Sequence, residues 1–321
     1  MLYLSIHSHN HMHMTIHDFN SHKHYGWDKD FKPIAEVDSG QTVTYEITES
    51  SGGQFNRRST AEDVANIDFG KVNPVAGPVY VKGAQPGDTL EIEMLDFKQL
   101  DWGWTAIIPG FGLLADDFQK PAIKTFDLAS RNTAEFLPGI NLAIKPFPGT
   151  IGVALPEEGN FSVVPPRQNG GNMDIRHLTR GTKLYLPVWV GGALFSIGDT
   201  HAAQGDGEVC GTAIEASMET TIRFKLHKGK SIAEPRYEIP GPPTPEADSQ
   251  GYYVTTGHGP DLYAASQNAI RYMIEHIVDT YRVTDEEAYM LCSVAVDLRI
   301  NEIVDAPNWL VSAFLPNSIF K

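Results

Sequence analysis

The chain is poor in cysteine and in cations, and it has no long apolar run. Only Cys210 and Cys292 occur in 321 residues; that excludes a disulfide framework and fits a reducing cytoplasm. No hydrophobic stretch approaches the roughly 20 residues that span a bilayer, so no membrane partner is expected. The N-terminus, Met1 to His7, has neither a basic start nor an apolar core, so no secretory signal is predicted. Lys and Arg total 25 against 40 Asp and Glu, a net charge of −15. That balance disfavours nucleic acid and anionic membranes, and strongly anionic substrates too unless a metal inverts the local field. Repeats, coiled coil and phosphate loop are absent. A soluble, cytoplasmic protein with a small-molecule substrate is the expectation.

The shortage of cations is sharpest between Gly198 and Glu215. This stretch holds Asp199, His201, Asp206, Glu208, Cys210 and Glu215 among glycines and alanines, with no Lys or Arg. Carboxylates this close repel one another and are driven toward protonation. A divalent cation, held by carboxylate oxygen and imidazole nitrogen, removes the repulsion. The glycines predict tight turns that bring the polar groups inward.

What the chain has in plenty is turn formers. Its 29 glycines and 21 prolines point to short strands. Strands are predicted at 34–38, 42–47, 77–81, 88–95, 141–144, 184–190, 193–197 and 220–226. The Pro- and Gly-rich segment 234–250 then separates a mainly-β catalytic body, residues 1–235 with a His-rich leader 1–24, from a smaller α+β part, 251–321, packed closely on it. Apolar residues at helical spacing predict a helix from Asp261 to Tyr281. Thr284 to Glu287 form a capping box opening a second helix to about Asp297, and 298–304 reads as a strand.

Site candidates follow from residue chemistry. Seven of twelve histidines crowd residues 7–24: His7, His9, His11, His13, His17, His22 and His24. The first four alternate and are read as a solvated segment. His22 and His24 adjoin a folded strand, His22 as a metal ligand and His24 as a substrate contact. Gln54, after two glycines, and Asn172, in the constrained loop 165–174, are the other substrate contacts. Asp174, Asp199 and His201 are metal candidates, zinc first and calcium as the alternative. The metal would activate water for attack on a carbonyl, with Glu208, Glu215 or Asp206 taking the proton. Against this stands the possibility that some acids cap turns or pair with Arg167, Arg176 or Arg180. Two rival functions remain: Cys210 or a hydroxyl as nucleophile, and a non-catalytic β protein stapled by metal.

These residues carry a resemblance. Gly77 to Val81 with Gly87-Asp88, Pro148 to Val153, Gly170 to Asp174, Leu186-Pro187-Val188, Gly198 to His201, Gly205 to Glu208, and Glu215 together look like the acetamidase/formamidase family. They run in order over nearly the whole chain. The resemblance implies hydrolysis of short aliphatic amides such as formamide or acetamide, a lactam being chemically equivalent. It also implies a mainly-β fold of sandwich and barrel-like parts, a homo-oligomer (dimer or dimer of dimers), and zinc or calcium. Asp174, Asp199, His201, Asp206, Glu208 and Glu215 sit on its motif positions, and its N-terminal His matches His22 or His24. The seven-histidine leader departs from the family pattern.

Overall fold

Strict alternation builds the first of two large sheets. Every second side chain of Thr42–Ile47 is buried, and Met218–His227 repeats the pattern over most of its length. In a computed structural model that describes residues 4–5, 13–16 and 22–321, these strands lie side by side. The spatial order is Leu4–Ser5, His13–Ile16, Thr42–Ile47, Met218–His227, Thr89–Gln99, Lys183–Pro187 and Arg236–Glu238. His7, His9, His11 and His17 fall outside the described residues.

The second sheet is buried on both faces at its centre. Its strand Phe195–Ala203 has all nine residues buried, flanked by Phe147–Gly152, Val75–Val81 and the short Ile214–Glu215. Tyr45, Ile92, Met94 and Phe224 of the first sheet meet Val79, Phe147, Phe195 and Ile197 of the second in one core. The Phe195 ring packs edge-on against Phe224 at 5.1 Å. The body is therefore a sandwich of open sheets. This is the mainly-β body expected from sequence, and neither sheet closes into a barrel among the described residues.

The C-terminal part covers the far side of the central strand. Helix Leu262–Tyr281 buries Ala265, Ala269, Met273 and Ile277 of the stripe its spacing predicted, together with Ile270 and Ile274, and Asp261 caps it by accepting from the Ala264 N–H. Helix Asp285–Ala295 opens on the predicted Thr284–Glu287 capping box. These helices share a core with Ala202, Ala203, Cys210 and Ile214 of the body. A three-stranded sheet, Tyr252–Gly259, Trp309–Pro316 and Asp297–Glu302, completes the chain.

Sequence and structure part at two places that matter for the site. The strand predicted to end at Ile197 continues to Ala203, so the first half of the acidic stretch lies in a strand, interrupted by one left-handed residue at Asp199. Neighbouring strands on both sides complete its ladder, and that tertiary pairing outweighs local glycine content. The segment 234–250 is not merely a connection: Arg236–Glu238 joins the first sheet and Pro245–Gln250 is helical.

Candidate active site

The central strand places Asp199 and His201 two residues apart, as an extended backbone should. His201 lies directly opposite Glu215 on the neighbouring strand, so both side chains leave the same face. His201 Nε2 is 3.1 Å from Glu215 Oε2, 3.1 Å from Asp199 Oδ1 and 3.9 Å from Glu208 Oε1. Asp174 arrives from the preceding loop and joins Asp199 and His201. One donor atom from each of these three lies within 4.8 Å of the others, and the same holds for His201, Glu208 and Glu215. One imidazole and four carboxylates from separate segments thus converge.

The backbone is bent to achieve this. Asp174, Asp199 and Glu208 all adopt left-handed conformations, with φ of 49°, 52° and 45°. Such residues are costly for non-glycine side chains and collect at functional sites. Gly149 supplies the space between them: a Cβ there would sit 2.6 Å from Asp174 Oδ1 and 2.8 Å from Asp199 Oδ2.

Electrostatics follow from burial without cations. Burial, then the Asp199 charge, pushes the Asp174 carboxyl up to about 7. Burial and Asp174 raise Glu208 well above the carboxylate range, and burial raises Glu215 against the opposing pull of His201. For His201, burial would lower the value, but the charges of Glu215 and Asp199 overcome it and hold the ring protonated well above its usual range. No Lys or Arg reaches the cluster among the described residues. Arg176 turns instead to Asp297 at 2.8 Å and Asp206 at 3.4 Å. The Oδ1 of Asp174 is buried with no hydrogen-bond partner. An orphaned carboxylate oxygen in a group of four acids is a donor in need of a partner, and the oxygen and imidazole donors suit zinc or a harder divalent ion.

A supporting shell fixes the donors. Ser50 donates to Glu215 Oε2 at 2.9 Å, and the Ala213 N–H donates to its Oε1 at 3.1 Å. Thr150 Oγ1 lies 3.3 Å from Asp199 Oδ2 and 2.8 Å from Asn172 Oδ1. Gln204 bridges His201 Nδ1 at 3.0 Å and the Asp174 carbonyl at 2.8 Å. Phe147 stands edge-on to the imidazole, with ring centroids 5.1 Å apart.

The remaining candidates are placed elsewhere. Asp206 turns away to Arg176 and His177, so the ion-pair alternative describes this acid. Gln54 spends its amide holding its own loop, donating to the Ser51 and Asp68 carbonyls and accepting from the Asp68 N–H. His24 donates from Nδ1 to the Gly26 carbonyl and accepts from Ser196 at Nε2, both at 2.7 Å, so neither nitrogen is free. Burial lowers it to about 4, which keeps it neutral. His22 is in neither group of converging donors. Asn172 is one hydrogen bond removed, through Thr150. Cys210 is fully buried, its thiol facing the Ala106 carbonyl at 3.4 Å and Thr212, with no imidazole or carboxylate bonded to it among the described residues.

Four contributors escaped sequence reasoning. Gln204 stood inside the acidic stretch, three residues after His201, and polar type with that spacing could have marked it. Gly149 and Thr150 lie in a quoted motif but carry no chemistry alone. Ser50 has no sequence signal, since 165 positions separate it from Glu215.

Sandwich and cluster together define a mainly-β protein built around a buried imidazole–carboxylate centre. The chain belongs to the acetamidase/formamidase family, whose model matches residues 10–159 and 157–321. It is 28% identical to a formamidase of Methylophilus methylotrophus, over 93% of this chain and 89% of the relative. An acetamidase structure from Bacillus halodurans matches at 32% identity and a TM-score of 0.66, covering 94% and 96% of the two chains. A gamma lactamase from Delftia acidovorans matches at 27% identity and a TM-score of 0.86, covering 94% and 90%.

Proposed function

We propose that this chain hydrolyses short linear amides of the formamide and acetamide type to the carboxylic acid and ammonia, at the cluster centred on His201. Its family supports amidohydrolase chemistry. The observation that carries the assignment to this site is one imidazole and four carboxylates, with His201, Asp199 and Glu215 buried, Asp174 and Glu208 half-buried and no Lys or Arg among the described residues in contact, all but Asp174 on the long acidic stretch that bears the family resemblance.

Asp174, Asp199 and His201 would hold a divalent cation, zinc first, with Glu215 beside them. When bound, the cation supplies Lewis-acid polarisation of the amide carbonyl and a lowered pKa for water. Glu208 moves protons: its side chain is 16% exposed against 7% for Asp199 and 3% for Glu215, so of these three it best reaches an entering molecule. Its raised pKa matches a group that takes a proton from attacking water and returns it to the leaving nitrogen. Ser50 and the Ala213 N–H hold Glu215 against rotation. The gamma lactamase likeness adds a cyclic amide as a second substrate class.

Both cysteines are free and buried, which fits the cytoplasmic setting inferred from sequence. A homo-oligomer, and the absence of nucleic-acid and membrane partners, belong to the same proposal. The test is ammonia release from formamide and acetamide, and ring opening of a small lactam read as new primary amine. Wild-type turnover that disappears in Asp199→Asn, with an unchanged melting curve, upholds the assignment. Undiminished turnover in that variant would move the chemistry to another part of the molecule.

A further inference from the structure

We propose that Gln204 is the positioning residue of this centre, fixing the His201 tautomer so that Nε2 is the nitrogen offered to a cation, and tying Asp174 to the same frame. The inference rests on reading the cluster as a cation site. Gln204 is 4% exposed and its side-chain amide makes two hydrogen bonds of different kinds. The Asp174 backbone carbonyl can only accept, so the amide NH2 must face it. Its oxygen therefore faces His201 Nδ1, which must carry a proton and donate. Nε2, the nitrogen turned toward Asp199, Glu215 and Glu208, is then the one that gives up its proton and offers a lone pair when a cation binds.

The same amide grips Asp174 at a residue whose backbone is left-handed. One side chain thus aligns two donors, one from the central strand and one from the preceding loop. Gln204 is itself held from behind: Arg176 Nη1 donates to its backbone carbonyl at 3.2 Å, and Arg176 Nη2 binds Asp297 of the C-terminal sheet at 2.8 Å. Partners that orient a metal-binding imidazole through its second nitrogen typically control affinity by 10- to 100-fold.

The test uses the full chain, stripped of metal. Gln204→Met keeps the length of the side chain and removes both bonds, whereas Gln204→Glu keeps the acceptor and loses the donor. Imidazole proton–nitrogen correlation spectra, with His201 assigned through His201→Gln, read the Nδ1 proton, first without metal and then as added zinc displaces the proton on Nε2. Competition with a chromophoric chelator reads zinc affinity. We expect a slowly exchanging Nδ1 proton in wild type that is lost in Gln204→Met, zinc binding weaker by about 10- to 100-fold in Gln204→Met, and partial recovery in Gln204→Glu. Wild-type zinc affinity in Gln204→Met, or no Nδ1 proton in the wild-type protein, would overturn the assignment. If Gln204→Met fails to fold, the wild-type spectrum and the Gln204→Glu affinity decide. Wild-type protein that binds no zinc counts against the cation reading separately; the Nδ1 proton in metal-free protein then decides the role of Gln204 alone.

Discussion

Gly149→Ala is a one-methyl perturbation aimed at the centre. Gly149 has no left-handed backbone to protect, so the cost is purely steric. The new Cβ would lie 2.6 Å from Asp174 Oδ1 and 2.8 Å from both the Asp199 carbonyl and its Oδ2. A comfortable carbon contact is about 3.5 Å, so these oxygens must retreat by roughly 0.7–0.9 Å. Overpacking of this kind costs about 1–3 kcal/mol, which a urea melt resolves. The larger effect falls on function, because metal donors tolerate only about 0.2 Å of error and a misplacement near 1 Å costs about 100-fold in rate. Steady-state amide hydrolysis is the assay, with Gly191→Ala as control because nothing lies within 4 Å of its added Cβ. Gly149→Ala enzyme that is both folded and fully active would refute the claim that Asp174 and Asp199 work from these positions.

Glu208→Gln keeps the fold and removes the proton carrier, so kcat should fall by about 10²- to 10⁴-fold; near-wild-type kcat would move that role to Glu215. Cys210→Ala should melt slightly earlier and retain turnover, whereas loss of turnover in folded protein would revive the thiol nucleophile. Asp174, Glu208, Glu215 and His201 all have folded pKa values raised above their ordinary ones. The folded metal-free protein therefore binds more protons than the unfolded chain. The stability from the acids is complete below about pH 4 and is lost as pH rises, through about 7 for Asp174; that from His201 is lost higher still. Metal-free protein should thus melt progressively lower from pH 5 to 8, and zinc at pH 8 should restore it; a flat profile would contradict the buried-charge account. Ser50→Ala frees Glu215 and should lower kcat with KM little changed, as read from full saturation curves.

Much of this was legible before folding because composition alone made the stretch 198–215 improbable without a counter-charge. Asp199, His201, Glu208 and Glu215 could be read off as a group, since strand alternation and turn glycines confine them to a short segment. The helices of the C-terminal part were equally clear, because the 3.6-residue stripe and the Thr284–Glu287 box are local signals. What stayed hidden depends on long-range pairing. Nothing local says that Asp206 faces Arg176 while Glu208, two residues on, faces inward; the left-handed turn at Glu208 and the contact with Asp297 decide it. Gln54 and His24 had the right chemistry but satisfied their own neighbourhoods. The mainly-β sandwich with its smaller α+β part was legible too, although strand sequences do not state whether a sheet's edges meet.

The central claim is that the His201 cluster is a cation-dependent amidase centre. Its most direct measurement is turnover of formamide against zinc content in one preparation, from verified metal-free protein through stepwise re-addition. The account predicts no turnover without the ion and a linear rise that saturates near one ion per chain. Full turnover in protein shown to be metal-free would contradict it.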